Sequence, residues 1–161
     1  MNLTDLLTSD RVAIAPAGAG TGAHGVSKQD ALTQLASLLA RGTTGVPRAE
    51  IERVLVEREQ LQSTGIGDGV AIPHGALADL GAQIASLLIV PDGVEFAAID
   101  GQKVTILFAV VGPKRATGEH LKALARVSRL LRNKGFRDQL VASPDAEAVY
   151  GLIAKEEAEQ K

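Results

Sequence analysis

The sequence predicts an α/β layered domain, on three observations. Short runs rich in β-branched residues, Ile84 to Val90 and Val104 to Val111, are bounded by Gly, Pro or Asp, as strands are. Around them lie stretches whose apolar residues recur at three and four positions, the mark of one buried helix face. No internal repeat and no linker divides the 161 residues. One domain is therefore expected, long enough to bury about two-thirds of the surface that its unfolded chain exposes.

Taken in order, Leu3, Leu6 and Leu7 suggest a short opening helix and Val12 to Ile14 a first strand. "APAGAGTGAHG", Ala15 to Gly25, is too rich in small residues to read as anything but a loop. Ser27 with Asp30 forms a capping box, and Ala31, Leu32, Leu35, Leu38 and Leu39 mark the inner face of a helix closed by Gly42. Pro47, a good first-turn residue, opens a second helix to about Gln62, with Ile51, Val54, Leu55 and Leu61 as its apolar stripe. A strand follows from Val70 to Ile72, halted by Pro73, and then the two β-rich runs. Between those runs "PDGVEFAAIDGQ" holds two Asp-Gly turns and a minor strand around Val94 to Phe96. A long helix from Gly118 to about Asn133, a short one through Phe136 and Leu140, and a last one capped at Ser143-Pro144 complete the layers. Residues 155–161 read as a polar tail.

Composition excludes several functions. Seventeen basic against nineteen acidic residues, net charge -2, give no electrostatic footprint for a nucleic-acid backbone. With 2% aromatic residues there is no platform on which bases could stack. The absence of cysteine removes disulfides, thiolate nucleophiles and cysteine metal sites. "MNLTDLLTSDRV" lacks the basic and apolar regions of a signal peptide, and "LLIV" and "ILFAVV" fall far short of the ~20 residues of a membrane span. A cytoplasmic protein without membrane insertion is the expectation.

Chemistry concentrates around "STGIGDGVAIPHG", which places Gly65, Gly67, Gly69, Pro73 and Gly75 about a single histidine, His74. Glycines let the chain bend tightly and approach a bulky or charged group, and His74 is expected on the strand-end turn with its approach open. His120 leads an apolar stripe, Leu124, Val127 and Leu131, from the first turn of its helix, where unpaired N–H groups disfavour an imidazolium. Either it is a core histidine satisfied by a carbonyl or it belongs to a site. Arg58 lies on the apolar face of its helix, four after Val54. It either snorkels or pairs with Glu57 or Glu59, or it holds an anion. His24, in the glycine-rich loop, reads as solvent-exposed.

Together His74, His120 and Arg58 compose an oxyanion site suited to phosphoryl transfer onto a histidine: a neutral imidazole attacks, while arginine and N–H donors stabilise the phosphoryl oxygens. Other chemistries fit less well. "GIGDG" lacks the Gly-Lys-Ser/Thr of a P-loop and matches a dinucleotide fingerprint incompletely. A metal pair of His74 and His120 with Asp68 has no HxH or HxxxH spacing behind it. Ser63 or Thr64 as a hydrolase nucleophile lacks the elbow pattern.

"REQLQSTGIGDGVAIPHG", with "EHLKALARVSRLL" about forty residues on, strongly resembles the enzyme IIA domain of the fructose/mannitol class of the bacterial phosphoenolpyruvate-dependent phosphotransferase system, in its nitrogen-regulatory branch. The likeness runs from "LTDLL" to "FRDQL" and "AVYGLI", so residues 1–161 read as one such domain. It implies a three-layer α/β/α sandwich around a mixed β-sheet, with His74 phosphorylated by a histidine-phosphorylated carrier protein. The same resemblance makes His120 the second active-site histidine and Arg58 the phosphate-binding arginine, gives Thr64 a contact to the site, and implies neither metal nor nucleotide cofactor. Downstream it implies regulatory partners that read the phosphorylation state or, alternatively, a IIB permease component that receives the phosphoryl group.

Overall fold

The computed structural model describes residues 2–15, 26–42 and 45–160. The expected glycine-rich loop from residue 16 onward, with His24, lies outside the described residues. Among the described residues six strands, β1 (Val12–Ile14), β2 (Gly65–Gly67), β3 (Val70–Ala71), β4 (His74–Leu77), β5 (Ile84–Val94) and β6 (Val104–Pro113), form a single mixed sheet. Its order is β1-β5-β6-β3-β2, with β4 continuing along the β6 edge that β3 begins. β1 runs parallel to β5, β5 antiparallel to β6, and both β3 and β4 parallel to β6.

Helices cover both faces. α1 (Lys28–Ala40) and α2 (Arg48–Leu61) pack on one side, and α3 (Thr117–Leu130), α4 (Lys134–Val141) and α5 (Ala146–Glu159) on the other. Strand alternation explains why both layers form. Leu88, Leu107, Ala109 and Val111 join Leu35, Leu39, Ile51 and Leu55 in one core, while Leu87, Ile106, Phe108 and Val110 join Val127, Leu140, Val149 and Ile153 in the other. A central strand covered on both faces has to be apolar at successive positions, which is why β6 reads as a continuous run. The sheet is mixed and the architecture is the three-layer α/β/α sandwich expected.

The capping box of α1 forms in full: Ser27 Oγ accepts from Asp30 N at 3.0 Å, and Asp30 accepts from Ser27 N. Elsewhere the local expectations need correction. The opening helix is a pair of 3-10 turns, Leu3–Asp5 and Ser9–Arg11. Leu61, expected on the buried stripe of α2, is 82% exposed, as the last residue of the helix. The Asp92-Gly93 pair is not a turn between strands. β5 runs through it as an irregularity to Val94, with Gly93 at φ 81°, and Phe96 is buried outside any strand. The cap of α5 is Asp145, whose side chain accepts from Ala148 N at 2.8 Å, not Ser143-Pro144. Nor is the end of the chain a free polar tail: α5 continues to Glu159, and its buried Glu157 accepts from Leu3 N and pairs with Arg126. Among the described residues no helix is long and apolar enough to cross a membrane.

Candidate functional site

The glycine stretch solves a problem of chain reversal. Asp68 and Gly69 have φ of 58° and 78°, so β2 and β3 are joined by a two-residue turn in which both central residues are left-handed. This tight return lays β3 against Ile106 and Leu107 of β6. The ladder then lapses at Ile72 and Pro73 and resumes with His74 opposite Val110. His74 therefore opens β4 rather than standing on a strand-end turn, because Pro73 interrupts the pairing without ending it. Proline costs the ladder one donor, but the Pro73 carbonyl still accepts from Val110 N at 3.0 Å.

Beside this strand lies a cleft of about 520 Å³ whose walls include Arg58, Thr64, Ile66, His74, Ile99 and Ser128. His74 is half-buried, with Nδ1 2.8 Å from the carbonyl oxygen of Ile72. A carbonyl only accepts, so Nδ1 carries the hydrogen and donates it, which leaves the lone pair of the neutral ring on Nε2. Burial pushes the His74 pKa below its ordinary value and the Arg58 charge adds to this, against the Ile72 hydrogen bond and the Glu59 carboxylate. The ring is held neutral and nucleophilic at one defined atom.

His120, in the first turns of α3, lies with its ring centre 5.8 Å from that of His74 and tilted by 52°. Its Nδ1 is 2.9 Å from Gln83 Oε1. Its pKa is also lowered, by burial first and then by the electrostatic influence of the neighbouring His74. Leu124 and Ser128, further along α3, line the cleft itself.

Arg58 donates from Nη1 to the carbonyl of Gln62 at 2.8 Å, at the end of its own helix. The carboxylates that could have neutralised it are engaged elsewhere. Glu57 pairs with Arg53 at 2.8 Å and buried Glu59 with Lys28 at 2.8 Å, so among the described residues Arg58 has no ion-pair partner. Thr64 is 4% exposed, and its hydroxyl donates to Glu59, as its backbone N also does at 3.0 Å. Both donors thus tie the start of β2 back to α2, while Thr64 itself lines the cleft. Asp68 sits on the hairpin turn with its N–H on Asp100 Oδ2 at 3.0 Å, and no three His, Asp or Glu side chains gather into a metal-holding group among the described residues.

Sequence reasoning missed Gln83, Glu59 with Lys28, Ser128 and Ile99. Glu59 is read from the sequence only as a partner of Arg58, and its pairing with Lys28 of another helix leaves no local signal; the others acquire their places from the sheet register and from loops.

The family model for the phosphoenolpyruvate-dependent sugar phosphotransferase system, EIIA 2, matches residues 20–156. A nitrogen regulatory protein of Bradyrhizobium diazoefficiens is 42% identical over 128 residues, 80% of this chain and 83% of the relative. Another, from Pseudomonas aeruginosa, is 40% identical over 129 residues, 80% and 84% of the two chains. The crystal structure of nitrogen regulatory protein IIA-Ntr from Neisseria meningitidis superposes with a TM-score of 0.82 at 30% identity, covering 94% of this chain and 98% of that one. With its mixed sheet, its cleft and its paired histidines, the chain belongs to the EIIA 2 family of the phosphoenolpyruvate-dependent sugar phosphotransferase system, in the nitrogen-regulatory branch.

Proposed function

We propose that this protein is a histidine phosphocarrier that takes a phosphoryl group on His74 Nε2 from a histidine-phosphorylated carrier protein, and that the phosphorylation state is read by regulatory partners. The observation that carries it is the bond from His74 Nδ1 to the Ile72 carbonyl, which leaves Nε2 unprotonated beside an arginine with no carboxylate partner. In the transfer the Nε2 lone pair forms a new N–P bond as the donor's N–P bond breaks, and the donor imidazole departs with its electron pair. Arg58 and His120 stabilise charge on the equatorial oxygens. No metal or nucleotide enters this step.

The regulatory half rests on the relatives, which carry the name nitrogen regulatory protein, and on the rim of the cleft. Ile66 and Ile99 are 48% and 80% exposed there, an apolar surface suited to a partner. A phosphoryl group would add roughly -1.5 to -2 charges at its centre, which contact with an apolar partner would have to desolvate. At least one partner therefore prefers the unmodified form.

Incubation with phosphoenolpyruvate, the first enzyme of the relay and the carrier labels wild type and leaves His74→Ala unlabelled. Label persisting in the variant removes His74 as acceptor. Pull-downs with His74→Ala, His74→Glu and enzymatically phosphorylated protein recover different partner sets; identical sets would leave His74 as a relay only.

A further inference from the structure

Gln83 immediately precedes β5 and is 7% exposed. Antiparallel pairing sets Ile84 opposite Val111, which brings Gln83 over Gly112 of β6. The contact is so close that a Cβ on Gly112 would lie 2.1 Å from Gln83 Oε1 and 2.2 Å from Nε2. Only glycine at 112 leaves room for the carboxamide. From this place Oε1 faces His120 Nδ1 at 2.9 Å, while Nε2 is buried with no hydrogen-bond partner among the described residues. A buried carboxamide with an unpartnered NH2 is costly, and its value to the protein has to lie in its other end.

We propose that Gln83 is a positioning residue that fixes the tautomer of His120, holding the hydrogen on Nδ1 and leaving Nε2 with a lone pair that takes up a proton when a phosphoryl group is present on His74. The amide oxygen accepts from Nδ1–H whether or not Nε2 is protonated, so His120 passes from neutral imidazole to imidazolium without any side chain turning over. With the carboxamide reversed, its NH2 would donate to Nδ1 and hold the hydrogen of His120 on Nε2 instead. The two orientations of one side chain thus correspond to two different chemistries at the second histidine.

In the unmodified protein the neighbours oppose protonation: the ring is half-buried, and His74 stands beside it on β4. Lys114 and Arg115 precede α3, Arg115 donating to the Leu80 carbonyl at 3.3 Å, and Glu119 adjoins His120 in the chain. From α2, Arg58 and Glu59 act on His74, Glu59 being paired with Lys28. A dianionic phosphoryl group reverses the balance. Formation of the His74 N–P bond is then coupled to uptake of one proton from solvent at His120 Nε2.

The tautomer step stands on the unmodified protein alone; the proton-uptake step rests on the phosphoacceptor reading. Long-range proton–nitrogen NMR of the imidazoles separates them. Above the titration of His120, wild type and Gln83→Glu, which keeps an accepting oxygen, show its hydrogen on Nδ1, and Gln83→Met loses that preference. The His74 tautomer, set by Ile72, stays the same in all three and reports an intact fold. After chemical phosphorylation with phosphoramidate, the His120 titration in wild type moves upward by about one to three pH units. In Gln83→Glu it is already raised before phosphorylation. A wild-type His120 carrying its hydrogen on Nε2, a Gln83→Met variant with unchanged tautomer, or an unmoved His120 titration in labelled protein would overturn the proposal. Failure of phosphoramidate to label His74, with the tautomers as expected, would sink the phosphoacceptor reading and leave the role of Gln83 in setting the tautomer standing.

Discussion

The two edges of the sheet each hold an arginine against apolar surroundings, and the two are used in opposite ways. At the β1 edge Arg11 is 8% exposed; its Nε donates to the Ala85 carbonyl at 3.1 Å and its Nη2 to the Leu6 carbonyl at 2.6 Å. Gly42 lies so close that a Cβ there would stand 2.7 Å from Nη1. At the β2–β3–β4 edge Arg58 makes one side-chain hydrogen bond among the described residues, to the end of its own helix, and faces an open cleft. A guanidinium has five donors in a fixed fork. Arg11 uses its donors to join the N-terminal turns to β5, which is a structural task. Arg58 keeps most of its own uncommitted beside His74, and that is what an anion site needs.

The largest effect expected from this contrast is kinetic. Arg58→Met slows phosphoryl transfer to His74 by two to three powers of ten, corresponding to the roughly 3 kcal/mol lost with one oxyanion donor. Its unfolding midpoint in urea stays at the wild-type value, since the helix-end carbonyl of Gln62 it releases is exposed to water. A transfer rate within a factor of three of wild type, roughly 0.6 kcal/mol, would make Arg58 an ordinary surface arginine.

Arg11→Met should do the reverse. Removing the guanidinium strips the buried Ala85 and Leu6 carbonyls of a charged donor, at a cost of about 2 kcal/mol in folding stability. Phosphoryl transfer by the folded fraction stays unchanged. A variant as stable as wild type would mean that the interior at β1 tolerates an unpaired carbonyl better than its burial suggests.

These two arginines also show what a sequence can and cannot disclose. Arg58 was legible because a charge on an apolar helix stripe violates periodicity, and the same logic found the capping box at Ser27 and the inner face of α1. His74 was legible because glycines and a proline about one histidine restrict the backbone in recognisable ways. Arg11 sits in a 3-10 turn with no period to violate, and Gln83 is one residue outside a strand. Their partners, the Ala85 carbonyl and His120, are distant in the chain and meet them only once β1 has paired with β5 and the β5–β6 register is set. The same reason hid the extension of β5 through Pro91 and Gly93, where an irregular strand and a turn share one composition. Glu157 looked like part of a solvated tail, since nothing local announces that Leu3 N will lie above it.

The smallest effect concerns acidity, and it too should fall on one edge alone. His74 and His120 both have pKa values lowered from 6.5, chiefly by burial. Between the lowered folded value and the unfolded one, the unfolded chain binds more protons than the folded chain. Stability therefore rises with pH through that window, is complete above about pH 6.5, and declines as pH falls below it. The carboxylates whose values are lowered, Asp10, Glu50 and Asp100, titrate at lower pH still and leave the window clear. Urea midpoints measured between about pH 7.5 and about pH 5.5 should decline for wild type and flatten when His74 and His120 are both replaced by Gln. Because both rings remain partly exposed, solvent screening keeps the change below that of Arg11→Met. A decline of equal size in the double variant would place the acid sensitivity elsewhere, and the cleft edge would lose its claim to hold two rings neutral at a cost in stability.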